Sequence, residues 1–240
     1  MSLTTDTTRP AAPRHILALG VLSAVLMGLA VVGALGIAPE DADQGVVQRI
    51  FYFHVAVAIA SMVAFGVGCV AGIVFLRRGT TLWDDIGVSS VEVGLVYSVL
   101  TIITGSIWAK GAWGVWWRWD DVRLVSFLLI ILLYAAYFVL RGSAEPDRQA
   151  RFGAVYAVFA FAAVPLSFYS VRIAESFVHP VVFTRGGANM PGSMLVWFVI
   201  SLAAMVLMFV TFLVLEIQQR RAERSLDVLK SRLERMVQTV

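Results

Sequence analysis

Six apolar runs, each about as long as a bilayer is thick, constrain this chain more than any other feature of its sequence. A helix rises about 1.5 Å per residue, so about 20 apolar residues cross roughly 30 Å of hydrocarbon. None of the runs has an Asp, Glu, Lys or Arg near its centre. They cover residues 16–38, 50–76, 86–108, 124–140, 152–170 and 194–215. The sequence therefore predicts an all-α integral membrane protein, a six-transmembrane helix bundle.

The basic residues predict which way the spans run. Cytoplasmic connections carry an excess of Lys and Arg. With the N-terminus inside, 13 of the 19 Lys and Arg residues fall in the inner set and 6 in the outer set. We therefore predict that both termini are cytoplasmic. The outer connections are then residues 39–49, 109–123 and 171–193, and these larger loops are where we expect function.

The end of the chain differs in composition from the spans. Residues 216–240 are predicted to form an amphipathic helix, because apolar side chains recur at spacings of three and four: Leu226, Leu229, Leu233 and Met236. We therefore divide the chain into a membrane domain, 1–215, and a cytoplasmic helical tail, 216–240. The tail suits either the surface of an anionic bilayer or a cytoplasmic partner protein.

The second outer connection is rich in tryptophan. Five of the seven tryptophans fall in twelve residues: Trp108, Trp113, Trp116, Trp117 and Trp119. An aromatic belt alone would distribute such residues among helix ends at both interfaces. A flat, π-rich apolar shelf at the water boundary suits a large planar ligand, because aromatic stacking contributes about 1 kcal/mol per contact beyond burial.

Two of the three histidines lie on the same predicted side as the tryptophans. His54 is at the outer start of the second span and His179 is in the third outer connection, whereas His15 precedes the first span on the inner side. A single interfacial histidine is usually only a polar helix-end residue. Two neutral imidazoles on opposite faces of one metal are, however, the ligand arrangement of a six-coordinate haem iron.

A haem also carries two carboxylates, which need cationic partners. The outer cations are Arg49, Lys110, Arg118, Arg123, Arg172 and Arg185. Each of them also suits the role of an interface anchor, and the sequence does not rank them. We expect Asp120 and Asp121 to pair with Arg118 or Arg123, or to cap the fourth helix, rather than to bind metal.

These residues resemble the cytochrome c maturation protein C (CcmC) family, within a wider haem-handling group named for a Trp-Trp-Asp motif. The resemblance covers nearly the whole chain. The string Trp-Gly-Val-Trp-Trp-Arg-Trp-Asp is specific to that group, and His54 and His179 fall on the family pattern on either side of it. The other segments that carry the resemblance are residues 38–40, 44–45, 49–54, 104–110 and 169–171.

The resemblance implies a protein of the bacterial inner membrane that holds haem b at its outer face, with His54 and His179 as axial ligands. It implies transfer of the haem to a membrane-anchored periplasmic haem chaperone for cytochrome c maturation. ATP-binding-cassette transporter subunits and a small single-span subunit are the other implied partners, and no nucleic acid is. The expected haem-contacting residues are Trp108, Trp113, Trp116, Trp117, Trp119, Asp120, Arg49, Lys110, Arg118 and Arg123.

One departure concerns the segment after the tryptophan string. The family usually has Trp-Asp-x-Arg-Leu, whereas residues 120–124 here read Asp-Asp-Val-Arg-Leu, which is one residue longer. In a helix an extra residue turns everything after it by about 100°. The sequence therefore leaves open whether Arg123 takes the place of the family's arginine.

Three other functions remain as alternatives. A membrane cytochrome b would place its histidines inside the membrane, a haem permease would move its solute across it, and the related haem synthetase is longer and has additional intramembrane histidines. The outer loops show no nucleophile paired with a base, so we expect binding and transfer of haem rather than catalysis by this chain.

Overall fold

The computed structural model describes residues 13–173, 179, 182–184 and 186–238, without the side chains of 171–173, 183 and 184. Within these residues, six helical segments are long and apolar enough to cross a membrane: Arg14–Ile37, Val46–Arg78, Thr81–Trp113, Val122–Ser143, Gln149–Ser170 and Gly192–Gln238. Each of them coincides with one of the six apolar runs of the sequence. The predicted six-span, all-α membrane bundle is confirmed.

The spans are built from seven α-helices: α1 (Arg14–Val32), α2 (Phe51–Arg78), α3 (Thr81–Trp113), α4 (Val122–Ser143), α5 (Gln149–Ala160), α6 (Ala163–Ile173) and α7 (Gly192–Gln238). A π-helical turn, Gly33–Ile37, extends α1, and a 3-10 turn, Val46–Ile50, leads into α2. A short antiparallel hairpin of β1 (Phe183–Thr184) and β2 (Gly187–Ala188) precedes α7. The hairpin was not predicted from the sequence.

The fifth span consists of two helices because of Pro165. A proline has no backbone N–H, so Pro165 does not donate the helical hydrogen bond to the carbonyl of Phe161. The Val164 N–H donates to that carbonyl instead, at 3.0 Å. The break between α5 and α6 falls at this point.

Helix α2 lies at the centre of the bundle, because it contributes to three clusters of buried residues. One cluster, here called the α4-side cluster, includes Phe65, whose ring stacks on that of Tyr134 with centroids 3.6 Å apart. A second, the α7-side cluster, includes Tyr52 and Phe198. The third joins α2 to α3 and to the middle of α7. Helices on both sides of the bundle therefore pack against α2.

Ion pairs hold the predicted cytoplasmic end of the bundle together. Arg141 of α4 binds Asp84 of α3 through two hydrogen bonds, at 2.8 and 2.7 Å. Two similar contacts connect α7 to α3: Arg224 binds Asp85 at 2.7 and 2.5 Å, and Arg220 binds Glu92 at 2.6 Å. Each of these three carboxylates is therefore paired with an arginine of a neighbouring helix.

The tail continues the last span without a break. α7 runs for 47 residues, so it is about 70 Å long, more than twice the thickness of the hydrocarbon. Its apolar stripe is exposed along the final turns, at Leu226, Leu229, Leu233 and Met236. Ser23 of α1 contacts Thr211 of α7 at 2.6 Å, so these two helices pack against each other within their membrane-spanning parts.

Candidate functional site

A cavity of about 270 Å³ opens at the end of the bundle opposite the ion pairs. All three predicted outer connections contribute to it, as do the adjoining ends of α2, α3, α4, α6 and α7. His54 and His179 both line this one cavity. The sequence predicted that the histidines share a side of the membrane, and the fold brings them to a common space.

His54 is the fourth residue of α2 and is oriented by α3. Its Nδ1 lies 3.1 Å from the carbonyl oxygen of Thr101 and 3.1 Å from the hydroxyl oxygen of Thr104. A carbonyl only accepts, so Nδ1 carries the proton and donates, which leaves the lone pair of the neutral ring on Nε2. A metal-ligating histidine typically donates its other N–H in this manner.

Gly105 leaves the space that the His54 ring occupies. A Cβ added at Gly105 would lie 2.7 Å from Cε1 of His54, closer than atoms of two side chains approach. The ring can therefore rest against the backbone of α3 only because residue 105 has no side chain. Gly105 lies in one of the segments that resemble the family, residues 104–110, but nothing in the sequence indicates this role.

His179 is oriented by a carboxylate. Its Nδ1 lies 3.2 Å from Oδ2 of Asp121, whose side chain is fully buried. The other oxygen of Asp121 accepts hydrogen bonds from the backbone N–H groups of Arg123 and Leu124, both at 3.0 Å, and so caps α4. The predicted capping role is therefore present, and the same residue also positions His179. This second contact could not be predicted from the sequence, because 58 residues separate the two.

The tryptophans divide into two groups. Trp108, Trp113 and Trp117 line the cavity, whereas Trp116 and Trp119 are 58% and 75% exposed and are not among its lining residues. The rings of Trp108 and Trp113 meet edge to face at 4.8 Å, and Trp113 meets the ring of His179 in the same manner at 5.4 Å. The rings of Trp108 and Trp113 therefore form an angled aromatic surface beside His179, and Trp117, whose ring meets that of Trp119 at 5.5 Å, lines the same cavity.

Local turns of the backbone determine the positions of Trp113 and Trp108. α3 ends at Trp113 because Gly114 adopts a left-handed conformation, with φ of 78°, which glycine adopts without strain. In the first outer connection, the side chain of Asp41 accepts the backbone N–H groups of Asp43 and Gln44 at 3.0 and 2.9 Å. Gln44 then accepts the indole N–H of Trp108 at 3.0 Å. This bond joins the first and second outer connections.

The four candidate cations that the structure describes in full are not equivalent. Arg123 lines the cavity and donates a hydrogen bond to the carbonyl of Phe168 at 3.1 Å. Arg49 instead contacts the carbonyl of Leu35 and the carboxylate of Glu40. Lys110 donates to the carbonyl of Gly114 at 2.8 Å. The side chain of Arg172 and the whole of Arg185 lie outside the described residues.

Asp120 and Arg118 form a pair at the surface, as the sequence suggested. Arg118 donates to both carboxylate oxygens, at 3.1 and 2.5 Å. This hydrogen bonding holds the pKa of the Asp120 carboxyl below its ordinary value. Neither residue lines the cavity, so the geometry supports neither as a contact of a ligand bound inside it. Because Asp120 and Asp121 both precede α4, the extra residue is absorbed before the helix begins, and Arg123 faces the cavity.

The side chains that line the cavity are of types that hold a porphyrin. Within the described part of the chain, no group of three or more His, Cys, Asp or Glu side chains could hold a metal. A porphyrin supplies the equatorial nitrogens itself and needs only axial ligands from the protein. The cavity contains two imidazoles with oriented Nδ1 atoms, indole rings and one arginine, which are the residue types that such a ligand would contact.

Fold and site together define a six-span membrane protein with a cavity that contains two histidines and a tryptophan wall at one end. The sequence model of a family described as "Heme exporter protein C" (CcmC) matches residues 4–232. The chain therefore belongs to the CcmC family.

Individual relatives are similar over most of the chain. Heme exporter protein C of Bradyrhizobium diazoefficiens is 30% identical over 205 residues, which is 81% of this chain and 76% of the relative. The Escherichia coli K12 protein of that name is 31% identical over 155 residues, 64% of this chain and 63% of the relative. A ccmC-like mitochondrial protein of cytochrome c biosynthesis from Marchantia polymorpha is 24% identical over 194 residues, 81% of this chain and 82% of the relative.

Gly105→Ala is expected to displace the His54 ring and, in the haem-binding role proposed for His54 below, to lower haem affinity by about 10- to 100-fold, the cost of disturbing what orients a metal ligand. The physical reason is the 2.7 Å approach between the added Cβ and the imidazole. Haem titration of the purified protein checks it. Gly87→Ala in the same helix is the control, because its Cβ would make only ordinary contact, at 3.7 Å from Ala71. Equal affinities of the two variants would contradict this role of Gly105.

Proposed function

We propose that this protein handles haem for cytochrome c biogenesis by binding it at the outer face of the bacterial inner membrane and presenting it to a membrane-anchored haem chaperone. The observation that carries the proposal is the convergence of His54 and His179 on one tryptophan-lined cavity. The printed names of the relatives, haem exporters and a protein of cytochrome c biosynthesis, support it.

In the proposed site His54 and His179 are the axial ligands of a haem b iron. Haem bound in this manner supplies a six-coordinate, low-spin iron centre. The hydrogen bonds to Thr101 and Asp121 support the roles of the two histidines, because each keeps the Nδ1 proton in place and leaves Nε2 able to bind metal. Trp108, Trp113 and Trp117 would cover the porphyrin, and Arg123 is the described cation best placed for a propionate.

The outer location of the site rests on the excess of basic residues in the inner connections. We also propose that the haem-handling domain ends near residue 215, where α7 leaves the membrane, and that residues 216–240 extend into the cytoplasm. ATP-binding-cassette subunits and a small single-span subunit are the proposed membrane partners. The exposed stripe of the tail favours protein contact over the bilayer surface, because a helix continuous with a span projects away from the membrane.

The two histidines are held by different segments of the chain, which supports a stepwise release of haem to the chaperone. His54 belongs to a central helix of the bundle, whereas His179 lies in a connection between α6 and α7. Asp121 at the start of α4 contacts His179, whereas Thr101 of α3 contacts His54, so the two histidines are oriented by different parts of the chain. Ligation from two separate segments can therefore be undone in steps.

Purification from cells that make haem tests this function. We expect a visible absorption spectrum of low-spin, six-coordinate haem, and loss of that absorbance from the protein when the apo form of the membrane-anchored chaperone is added. Protein that carries no haem, or carries only five-coordinate haem, would reject the proposal. Haem that remains bound in the presence of the chaperone would limit the function to binding.

A further inference from the structure

The final turns of α7 carry an apolar stripe at the surface. Residues 221–238 are all exposed, and most of them are charged or polar. The apolar residues that recur on one face, here called the tail seam, are Leu226, Leu229, Leu233 and Met236, and they are between 54% and 64% exposed. Contiguous exposed apolar surface of this kind marks a place where another molecule binds.

Contacts with α3 fix the direction in which the tail leaves the bundle. Arg220 binds Glu92 at 2.6 Å and the hydroxyl of Ser89 at 3.1 Å. Arg224 binds both carboxylate oxygens of the buried Asp85. α7 then continues for about 20 Å beyond Arg224. Because α7 has no break at this point, the tail seam extends away from the bilayer instead of lying on it.

The spacing of the tail seam matches that of a coiled coil. Its residues are three, four and three positions apart, as are successive a and d positions of a heptad. An a/d stripe is narrower than the face by which a helix packs onto a protein core, and its width fits one partner helix. A helix of this length also owes most of its stability to the packing of its apolar face. The tail seam therefore predicts one helix packed along it.

The charges beside the outer half of the tail seam are basic. Lys230 is at position e of the heptad and Arg232 at position g, and both are exposed. Lys230 lies 4.0 Å from Asp227 of the same helix, an exposed contact of small energy. One heptad earlier, position e is Glu223, which accepts a hydrogen bond from Gln219. The e and g positions decide which helix a coiled coil accepts, so the two cations favour a partner with carboxylates beside its own seam.

A second copy of this chain does not supply those carboxylates. Two copies with both tails on one side of a membrane pair in parallel, so position g of one helix meets position e of the next heptad of the other. Ser225 would then meet Lys230, and Arg232 would meet Val237. Neither contact joins opposite charges. The charges therefore favour a different protein as the occupant.

We propose that the tail seam binds one amphipathic helix of a cytoplasmic partner protein, and that the apolar seam of this helix is flanked by Asp and Glu residues. The proposal takes from the proposed function only the cytoplasmic position of the tail. The tail seam and the cavity lie at opposite ends of the bundle, so the proposal stands whether or not the cavity binds haem. The contacts of α7 with α3 hold the seam in place for docking.

Peptide binding to the full-length protein in phosphatidylcholine nanodiscs tests the charge complementarity. Two synthetic peptides of about four heptads have Leu at a and d, and one carries Glu and the other Lys at e and g. Fluorescence anisotropy of the labelled peptides measures their affinities. We expect the Glu peptide to bind at least about tenfold more tightly than the Lys peptide. The double variant Lys230→Glu, Arg232→Glu is expected to remove or reverse that preference.

The double variant Arg221→Glu, Arg235→Glu is the matched control, because it makes the same change of charge at two exposed c positions outside the seam. It is expected to keep the wild-type preference. An equal loss of preference in the control would overturn the proposal, because net charge alone would then govern binding. Equal binding of the two peptides by the wild type would also overturn it.

A photo-crosslinking amino acid in place of Leu229 tests which molecule occupies the tail seam in cells. We expect adducts whose cross-linked peptide, read by mass spectrometry, has apolar residues in an a/d pattern with Asp or Glu beside them. Adducts with lipid, adducts with a second copy of the chain, or no adduct at all would each overturn the proposal. Haem content is measured on the same samples. Expected adducts on a protein that never carries haem would instead reject the proposed haem-binding function alone.

Discussion

Replacing either His54 or His179 by alanine is expected to abolish the low-spin, six-coordinate haem spectrum of the purified protein. Each imidazole supplies one of the two axial bonds of the proposed site, and each is held through Nδ1 by an acceptor of the protein. Loss of an outer partner of a metal ligand lowers metal affinity by about 10- to 100-fold, so loss of the ligand itself is expected to lower it further. The visible spectrum and the haem content per mole of protein measure the effect.

His15→Ala is the control for these variants, because His15 lies in the first turn of α1, at the other end of the bundle. It is expected to retain the wild-type spectrum. Imidazole added to His54→Ala is expected to restore six-coordination, because a small base can occupy the space of the lost ring. If both single variants keep wild-type ligation, the two histidines are not the ligands.

Trp113→Ala is expected to weaken haem retention by about 2 kcal/mol or more, or roughly 30-fold. Trp113 lines the cavity and contacts the rings of both Trp108 and His179. Its loss therefore removes a contact with the porphyrin and also a ring contact that helps to orient His179, one of the proposed ligands. The rate of haem transfer to apomyoglobin, measured in detergent, checks this value.

Trp119→Ala is the matched control within the same motif, because Trp119 is 75% exposed and does not line the cavity. Its haem retention is expected to equal that of the wild type. An equal loss in both variants would show that the tryptophan string acts as a single surface, and the division into a cavity-lining and an exposed group would be wrong.

The position of the histidines also bears on the rival function of a membrane cytochrome b. His54 is in the first turn of α2, and His179 lies in the connection that follows α6. Both are therefore at one end of the bundle and not between facing helices at its middle. This placement favours exchange of haem with a partner at the membrane surface over electron transfer within the bilayer.

Much of the site could be predicted because its signals are local in the sequence. Five tryptophans in twelve residues, with a histidine on each side of them, mark the region. The α2 residues that line the cavity below His54 could not be predicted, since Val55, Ala58, Ile59 and Met62 look like any other apolar residues of a span.

The sequence by itself determined the six spans, the all-α class and the family, because the bilayer demands long apolar helices and the tryptophan string is contiguous. The tertiary structure decided which side chains share the cavity: three tryptophans of five, Arg123 rather than Arg49 or Lys110, and Asp121 as the carboxylate that orients His179. These choices depend on how far each helix is rotated when it packs and on contacts between residues far apart in the chain. The spacing of residues along the sequence specifies neither the rotation of a helix nor the contacts between distant residues.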